Sequence, residues 1–286
     1  MHIVLITGIS GSGKSVALDV LEDLGYYCID NLPPVLLHQL VAIFAKDNSQ
    51  RLAVAVDSRS ADSLADLPDN IRRLQGEGHD VKVLFLTADT RVLIARFSET
   101  RRNHPLSHHT GAGGKEEPRS LIEAIHAERE ILSAIETLGH MIDTTNTSAN
   151  QLRNWVKEFV ETDRAPLTLY IESFSFRQGA PRDASLVFDV RSLPNPHYDP
   201  ALKALTGQDQ AVCAFLDAQP EVAEMLEDIR AFVEKWLPSF KRDNRSYLTI
   251  AIGCTGGQHR SVYIAEKLAQ HFRSTESVLL HHRGLH

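Results

Sequence analysis

The stretch Gly8-Ile9-Ser10-Gly11-Ser12-Gly13-Lys14-Ser15 constrains this chain more than any other. Gly8, Gly13, Lys14 and Ser15 satisfy G-x-x-x-x-G-K-[ST] in full. The flanks are those such a loop needs: the apolar run "HIVLIT" before it reads as a buried strand, and "SVALDVLEDLG" after it has helical spacing closed by Gly25. Glycine lets the backbone curl until successive N–H groups point inward, and Gly11 adds further freedom. The start of a helix brings partial positive charge to the same spot. In such a loop the lysine reaches the β- and γ-phosphates and the Ser/Thr hydroxyl ligates Mg²⁺. Lys14 and Ser15 are therefore the candidate catalytic pair, Ser15 the metal ligand, and Gly8 through Ser15 the binding loop for ATP or GTP.

The chain keeps that strand-then-helix rhythm. "YYCID", a helix from about Pro33 to Ala45, the strand "RLAVAVD", a polar helix near 62–76, "VKVLFLTA" and the helix "DTRVLIARFSETRR" follow in turn. The glycines, histidines and proline of "SHHTGAGGKEEPR" predict a loop; a long helix is expected over 119–138, then the strand "HMIDTT" and a helix from Asn150 to Glu161. This alternation implies right-handed crossovers and a mostly parallel sheet covered on both faces. At 286 residues the chain exceeds the common single-domain size, so two domains are expected. The boundary falls near "ETDRAP", giving domains 1–163 and 164–286. After it the pattern restarts with "LTLYIESFSF", "ASLVFDVRSL", two helices across 208–237, "YLTIAIG", the helix "SVYIAEKLAQHF" and "SVLLHH", a second α/β unit. Cys28, Cys213 and Cys254 are widely spaced and odd in number, which suits a reducing cytosol rather than a disulfide framework. No apolar run is long enough to span a membrane.

A phosphate loop calls for an acid that holds Mg²⁺ through water. Asp57, at the carboxyl edge of its strand, and Asp89 are the candidates; either could instead cap the next helix. Arg96, Arg101 and Arg102 close a helix, where cations suit the helix end and where a kinase lid would also place them. No acceptor-substrate signature accompanies them.

The stretch "YLTIAIGCTGGQHRSVYIAE" repeats the strand, Gly-rich turn and helix order and predicts a second anion site. Cys254 and Arg260 also fit C-x5-R followed by Ser261, the spacing of cysteine phosphatases. Asp189 is an available general acid there, and Arg191, Asn195, His197 and His259 are further polar candidates.

With both sites assembled, the chain resembles the RapZ (RNase adapter protein)/YvcJ family of P-loop nucleotide-binding proteins, on "GISGSGKSVAL", "LEDLGYYCIDNLP", "TRRNHPLS", "VFDVRSLPNPH" and "NRSYLTIAIGCTGGQHRSVYIAE". The resemblance implies a kinase-like P-loop NTPase domain that hydrolyses ATP and GTP slowly, followed by a phosphosugar-binding-like α/β domain. It places a second nucleotide stretch on Asp57, Ser58, Arg59 and Ser60. It implies sensing of glucosamine-6-phosphate through Asp189, Arg191, His197, Thr255, Gly256, His259, Arg260 and Ser261. It further implies a cytoplasmic, homo-oligomeric regulator that binds small regulatory RNA and presents it to RNase E. The charge pattern bears on the RNA role. Residues 1–163 carry 16 Lys and Arg against 23 Asp and Glu, and residues 164–286 carry 14 against 14, so the second half repels a polyanion less. The tail "SVLLHHRGLH" departs from the basic tail of enterobacterial relatives; Lys267, Arg273 and Arg283, with the cluster Lys241, Arg242 and Arg245, are the cations left to it. A small-molecule P-loop kinase and a C-x5-R cysteine phosphatase are the competing readings.

Overall fold

A computed structural model describes residues 1–46, 51–60, 64–110, 116–161, 167–242 and 247–285. The chain divides into two compact units, Met1–Glu161 and Thr162–His286. Most of the expected boundary stretch, 162–166, lies outside the described residues.

In the first unit, strands β1 (His2–Gly8), β2 (Tyr27–Ile29), β3 (Arg51–Ala55), β4 (Asp80–Thr87) and β7 (His140–Asp143) form one parallel sheet in the order β2-β3-β1-β4-β7. Strand β1 sits between β3 and β4, and all its residues after His2 are buried, as expected for a parallel strand covered on both faces. Helices α1 (Lys14–Asp23), α2 (Leu37–Lys46), α3 (Leu67–Gly76), α4 (Thr90–Thr100), α5 (Leu121–Leu132) and α6 (Ala149–Glu161) connect or flank the strands. The core joins Ile3, Leu5, Val54, Phe85 and Ile125. The chain passes from β3 on one side of β1 to β4 on the other. That reversal opens a crevice beyond the carboxyl end of β1, where the glycine loop lies.

Three local expectations are corrected. The stretch 107–119, expected as a loop, contains short antiparallel strands β5 (His108–Thr110) and β6 (Glu116–Pro118); antiparallel pairing lets even a polar stretch satisfy its backbone. The helix expected over 119–138 stops at Leu132 and resumes as a single 3₁₀ turn, Glu136–Leu138. The break lets Ile135 sink into the core and brings Gly139 against Val83, whose carbonyl oxygen would lie 2.2 Å from any Cβ placed there. The start of α2 is likewise tightened into a 3₁₀ turn over Pro34–Leu36.

In the second unit, β8 (Thr168–Ser175), β9 (Leu186–Asp189), β10 (Tyr247–Cys254) and β11 (Ser277–His282) form a parallel sheet in the order β11-β8-β10-β9. Helices α7 (Gln210–Asp217), α8 (Pro220–Arg242) and α9 (Arg260–Phe272) accompany it. Its core gathers Leu169, Ile171, Val190, Ile250, Ile252 and Ile264. The sequence feature that ends β10 and starts α9 is the Gly-rich turn. Among the described residues no helix is long and apolar enough to cross a membrane.

Candidate functional site

The first site is the turn between β1 and α1. Gly8, Gly11 and Gly13 have φ of 129°, 83° and 111°. A Cβ on Gly8 would stand 2.0 Å from the Leu86 carbonyl oxygen, and one on Gly13 would stand 2.7 Å from Leu152, so both positions need glycine for space as well as for backbone freedom. The loop's carbonyls are tied to the frame. Gly8 O accepts from Lys14 Nζ at 2.7 Å, Gly11 O from Arg96 Nη1 at 3.0 Å, and Ser12 O from Thr144 Oγ1 at 2.9 Å. Ile9 N in turn donates to Leu86 O at 3.0 Å. With carbonyls turned into the protein, the first-turn amides of α1, which have no intrahelical acceptor, remain for an anion. Among the described residues Ser12 Oγ is buried without a partner, and Ser15 is exposed at the helix start. Burial lowers the Lys14 ammonium, against the opposing pull of Glu128, Asp57 and Asp30.

Sequence reading missed the group that braces this loop. Glu128, fully buried on α5, accepts from Ser10 N and Ser10 Oγ, both at 2.8 Å, and from Ser58 Oγ at 2.8 Å. His104 Nε2 lies 3.1 Å from Oε2, the oxygen that also accepts from Ser10 N. Burial alone would raise the Glu128 carboxyl; the bonds from His104 and Ser10, with Lys14 nearby, hold it below its ordinary value. A signal was present: Ala124, Ile125, Glu128 and Leu132 share the buried face of α5, so a carboxylate occupies a core position of an amphipathic helix.

The glycine loop and the "DSRS" stretch are thus brought together through Glu128. Ser58–Ser60 forms a 3₁₀ turn, of which Ser58 is buried while the Arg59 side chain is exposed. Buried Asp57 accepts from Arg59 N at 3.0 Å. Asp89 caps α4, accepting from Arg91 N at 2.9 Å. Arg96 braces the loop through Gly11 and also donates to Thr144 O at 2.7 Å, whereas Arg101 and Arg102 are exposed.

The second site lies at the carboxyl ends of β8 and β10, where a cavity of about 300 Å³ opens. Cys254, Thr255, Gly256, Gln258, His259 and Arg260 form one wall, from the turn between β10 and α9. Ser175, Arg177, Gln178, Asn195 and His197 complete the lining, with Ser175 Oγ donating to Thr255 O at 2.8 Å. Arg260 is buried; its Nη1 donates to Arg191 O at 2.7 Å and Leu193 O at 2.8 Å, and Nη2 lies 3.4 Å from Thr255 Oγ1. Cys254 Sγ accepts from Gly257 N at 3.2 Å and meets Ser261 Oγ at 3.1 Å. His259 sits with Nε2 3.2 Å from Leu202 O, and burial lowers its pKa.

Of the residues expected at this site, His197, Thr255, Gly256, His259 and Arg260 line the cavity. Asp189, Arg191 and Ser261 do not. Asp189 and Arg191 bind each other, with Arg191 Nη2 2.7 Å from Asp189 Oδ2, and the guanidinium stacks 4.0 Å over Phe176. That partner holds the Asp189 carboxyl below its ordinary value. Ser261 lies behind the cavity, against Cys254. Ser175, Arg177, Gln178 and Gln258 went unread, because only the parallel register of β8 with β10 sets Ser175 beside Cys254.

Three of the tail cations are committed to carboxylates, while Arg242 and Arg273 are exposed. Arg283 is buried, 2.6 Å from Glu172 Oε2 and 2.7 Å from Asp183 Oδ2. Lys267 pairs with Asp217 at 3.3 Å and Lys241 with Glu276 at 2.7 Å. Arg245 lies outside the described residues.

Comparison with known proteins agrees with the division into two units. The family described as RapZ-like N-terminal domain matches residues 1–164, and the family described as RapZ C-terminal domain matches residues 167–286. A nucleotide-binding protein of Janthinobacterium sp. (strain Marseille) is 62% identical over 286 residues, spanning 100% of both chains. One from Methylobacillus flagellatus is 57% identical over 286 residues, spanning 100% of this chain and 99% of its own. Among solved structures, shikimate kinase from Bacteroides thetaiotaomicron aligns with 56% of this chain and 96% of its own at 16% identity and a TM-score of 0.35, too slight a likeness to argue from.

Proposed function

The chain belongs to the RapZ family, and from that premise we propose that it is a regulatory protein with two phosphate-bearing ligands, one for each unit. The observation that carries this reading is the cavity of about 300 Å³ at the second glycine turn, in a chain whose first unit bears a complete phosphate loop.

The first ligand is ATP or GTP, held by the amides of Gly8 to Ser15. Steric necessity at Gly8 and Gly13, and the unpartnered buried hydroxyl of Ser12, fit a phosphate chain laid against the backbone. Lys14 would ligate phosphate oxygens and Ser15 would hold Mg²⁺, which when bound neutralises phosphate charge. The relatives' printed description as nucleotide-binding proteins supports the assignment. Slow ATPase or GTPase turnover follows from a site that positions phosphate while the main role is regulatory.

The second ligand is an amino-sugar phosphate, with glucosamine-6-phosphate the leading candidate. Arg260 and the Thr255–Gly257 backbone would take the phosphate; Asn195, His197, Gln178 and Gln258 offer donors and acceptors to a sugar. Binding of small regulatory RNA, delivery to RNase E, assembly as a homo-oligomer and a cytoplasmic location complete the proposal. The RNA role draws the least from this chain, because Lys241, Lys267 and Arg283 are already paired with carboxylates.

Calorimetric titration tests the two ligands separately. ATP or GTP should bind the full chain saturably and Lys14→Ala should abolish it. Glucosamine-6-phosphate should bind with Lys14→Ala unaffected and Arg260→Lys weakened; no heat and no thermal shift with the sugar phosphate would refute the sensor. Filter binding across salt decides the RNA role, since phosphate contacts must weaken as salt rises.

A further inference from the structure

The arrangement around Cys254 does more than a binding site requires. A sensor needs only donors to phosphate oxygens. Here a sulfur nucleophile stands at the end of β10, on the same cavity wall as the arginine that opens α9. Three features act together.

First, Arg260 is oriented by its surroundings. Nη1 is anchored on two backbone carbonyls, Arg191 O and Leu193 O, at 2.7 and 2.8 Å. Among the described residues, Nε is buried with no hydrogen-bond partner, and Nη2 has a 3.4 Å contact with Thr255 Oγ1. Nε and Nη2 form the side-on edge of a guanidinium, the pair that grips two oxygens of one phosphate. An arginine required only for packing would have no reason to keep that edge unmatched while buried. Second, Cys254 Sγ accepts from Gly257 N at 3.2 Å and meets Ser261 Oγ at 3.1 Å, beside the start of α9. Third, His197 lines the same cavity with an exposed ring whose centroid lies 6.3 Å from that of His259.

We propose that this cavity hydrolyses phosphomonoesters through a transient phosphocysteine on Cys254. The inference rests on the reading of the cavity as a phosphate site and adds a reaction to it. Cys254 enters as thiolate, its proton given to solvent. Sulfur attacks phosphorus, an S–P bond forms and the ester P–O bond breaks, while Arg260 holds the equatorial oxygens. The leaving alkoxide takes a proton relayed by the His197 ring. Water then attacks phosphorus and gives a proton back to His197; the S–P bond breaks, and inorganic phosphate and thiolate are released. One ester and one water become one alcohol and one phosphate. The ligand class is a small phosphate monoester, such as a phosphorylated sugar, because the cavity admits a compact headgroup and its walls are polar.

The experiment uses the purified full chain with p-nitrophenyl phosphate and with glucosamine-6-phosphate, following released phosphate, with binding of the sugar phosphate measured in parallel by calorimetry. Wild type should release phosphate from both. Cys254→Ser should lose at least about a hundredfold in turnover and still bind the sugar phosphate. Acid quenching should trap phosphate covalently on wild type and not on Cys254→Ser. His197→Asn should slow the sugar phosphate more than p-nitrophenyl phosphate, whose leaving group needs no acid. Binding of the sugar phosphate with no release above the Cys254→Ser level overturns the reaction and leaves the sensor intact. Neither binding nor release overturns both.

Discussion

Replacing Glu128 by glutamine tests whether the glycine loop owes its shape to a carboxylate lent by α5. The side chain is fully buried and has four partners: Ser10 N, Ser10 Oγ and Ser58 Oγ at 2.8 Å, and His104 Nε2 at 3.1 Å. Glutamine keeps the volume, so no cavity forms. Its NH₂ group must face either the two serine hydroxyls, which can rotate to accept, or Ser10 N and His104. The first choice is cheaper. It leaves every group paired but turns charge-assisted bonds, worth about 1.5–3 kcal/mol each, into neutral ones worth about 0.5–1.5 kcal/mol. All four bonds lose that assistance, which gives a loss of about 4 kcal/mol. In a unit of this size that is a fall of about 8–16 °C in Tm. Trp155 lies buried in the first unit and Trp236 half-exposed in the second, so urea unfolding in a Trp236→Phe background, followed by fluorescence, reads the first unit alone. Affinity for a fluorescent ATP analogue should fall about tenfold, since Ser10 is then held less firmly. Glu128→Gln matching the parent in both stability and nucleotide affinity would refute the idea that this carboxylate shapes the loop.

Three further outcomes are expected. Gly8→Ala forces a Cβ to within 2.0 Å of Leu86 O and should cost more than about 3 kcal/mol, whereas Gly25→Ala, with positive φ but open space, should cost about 1 kcal/mol; denaturant midpoints of the two variants compare them. Arg283→Met leaves Glu172 and Asp183 buried without their cation and should cost about 3–5 kcal/mol at pH 7, with the deficit shrinking as acid protonates those carboxylates. Burial holds His259, His281 and His282 below the ordinary histidine value of 6.5, so the unfolded chain takes up their protons first. Their contribution is complete above pH 6.5 and is lost as pH falls through it, which urea midpoints of the second unit between pH 7 and pH 5 should show as a steady decline.

How much of this was legible in the residues depends on how local the cause is. The glycine loop and its flanking strand and helix could be read directly, because steric demands at Gly8 and Gly13 act on neighbours in the chain and on one adjacent strand. Both strand patterns, with their buried apolar runs, were legible for the same reason. Glu128 was not, although its helical phase hinted at burial, because its partners Ser10 and Ser58 lie in the turns after β1 and β3, which only the sheet order brings beside α5. Arg283 was misjudged as an available cation. Nothing near it in sequence announces Asp183, and its partner Glu172 lies in a fully buried strand, opposite His281 in the β8–β11 register.

The close approach of Gly284 to Gly257 has a mechanical meaning. A Cβ at Gly284 would lie 2.6 Å from Gly257 O, so the backbone leaving β11 is wedged directly beneath the turn that carries Cys254 and Arg260. Force applied there, whether by an affinity handle, a surface tether or a bulky neighbour, would pass into that turn.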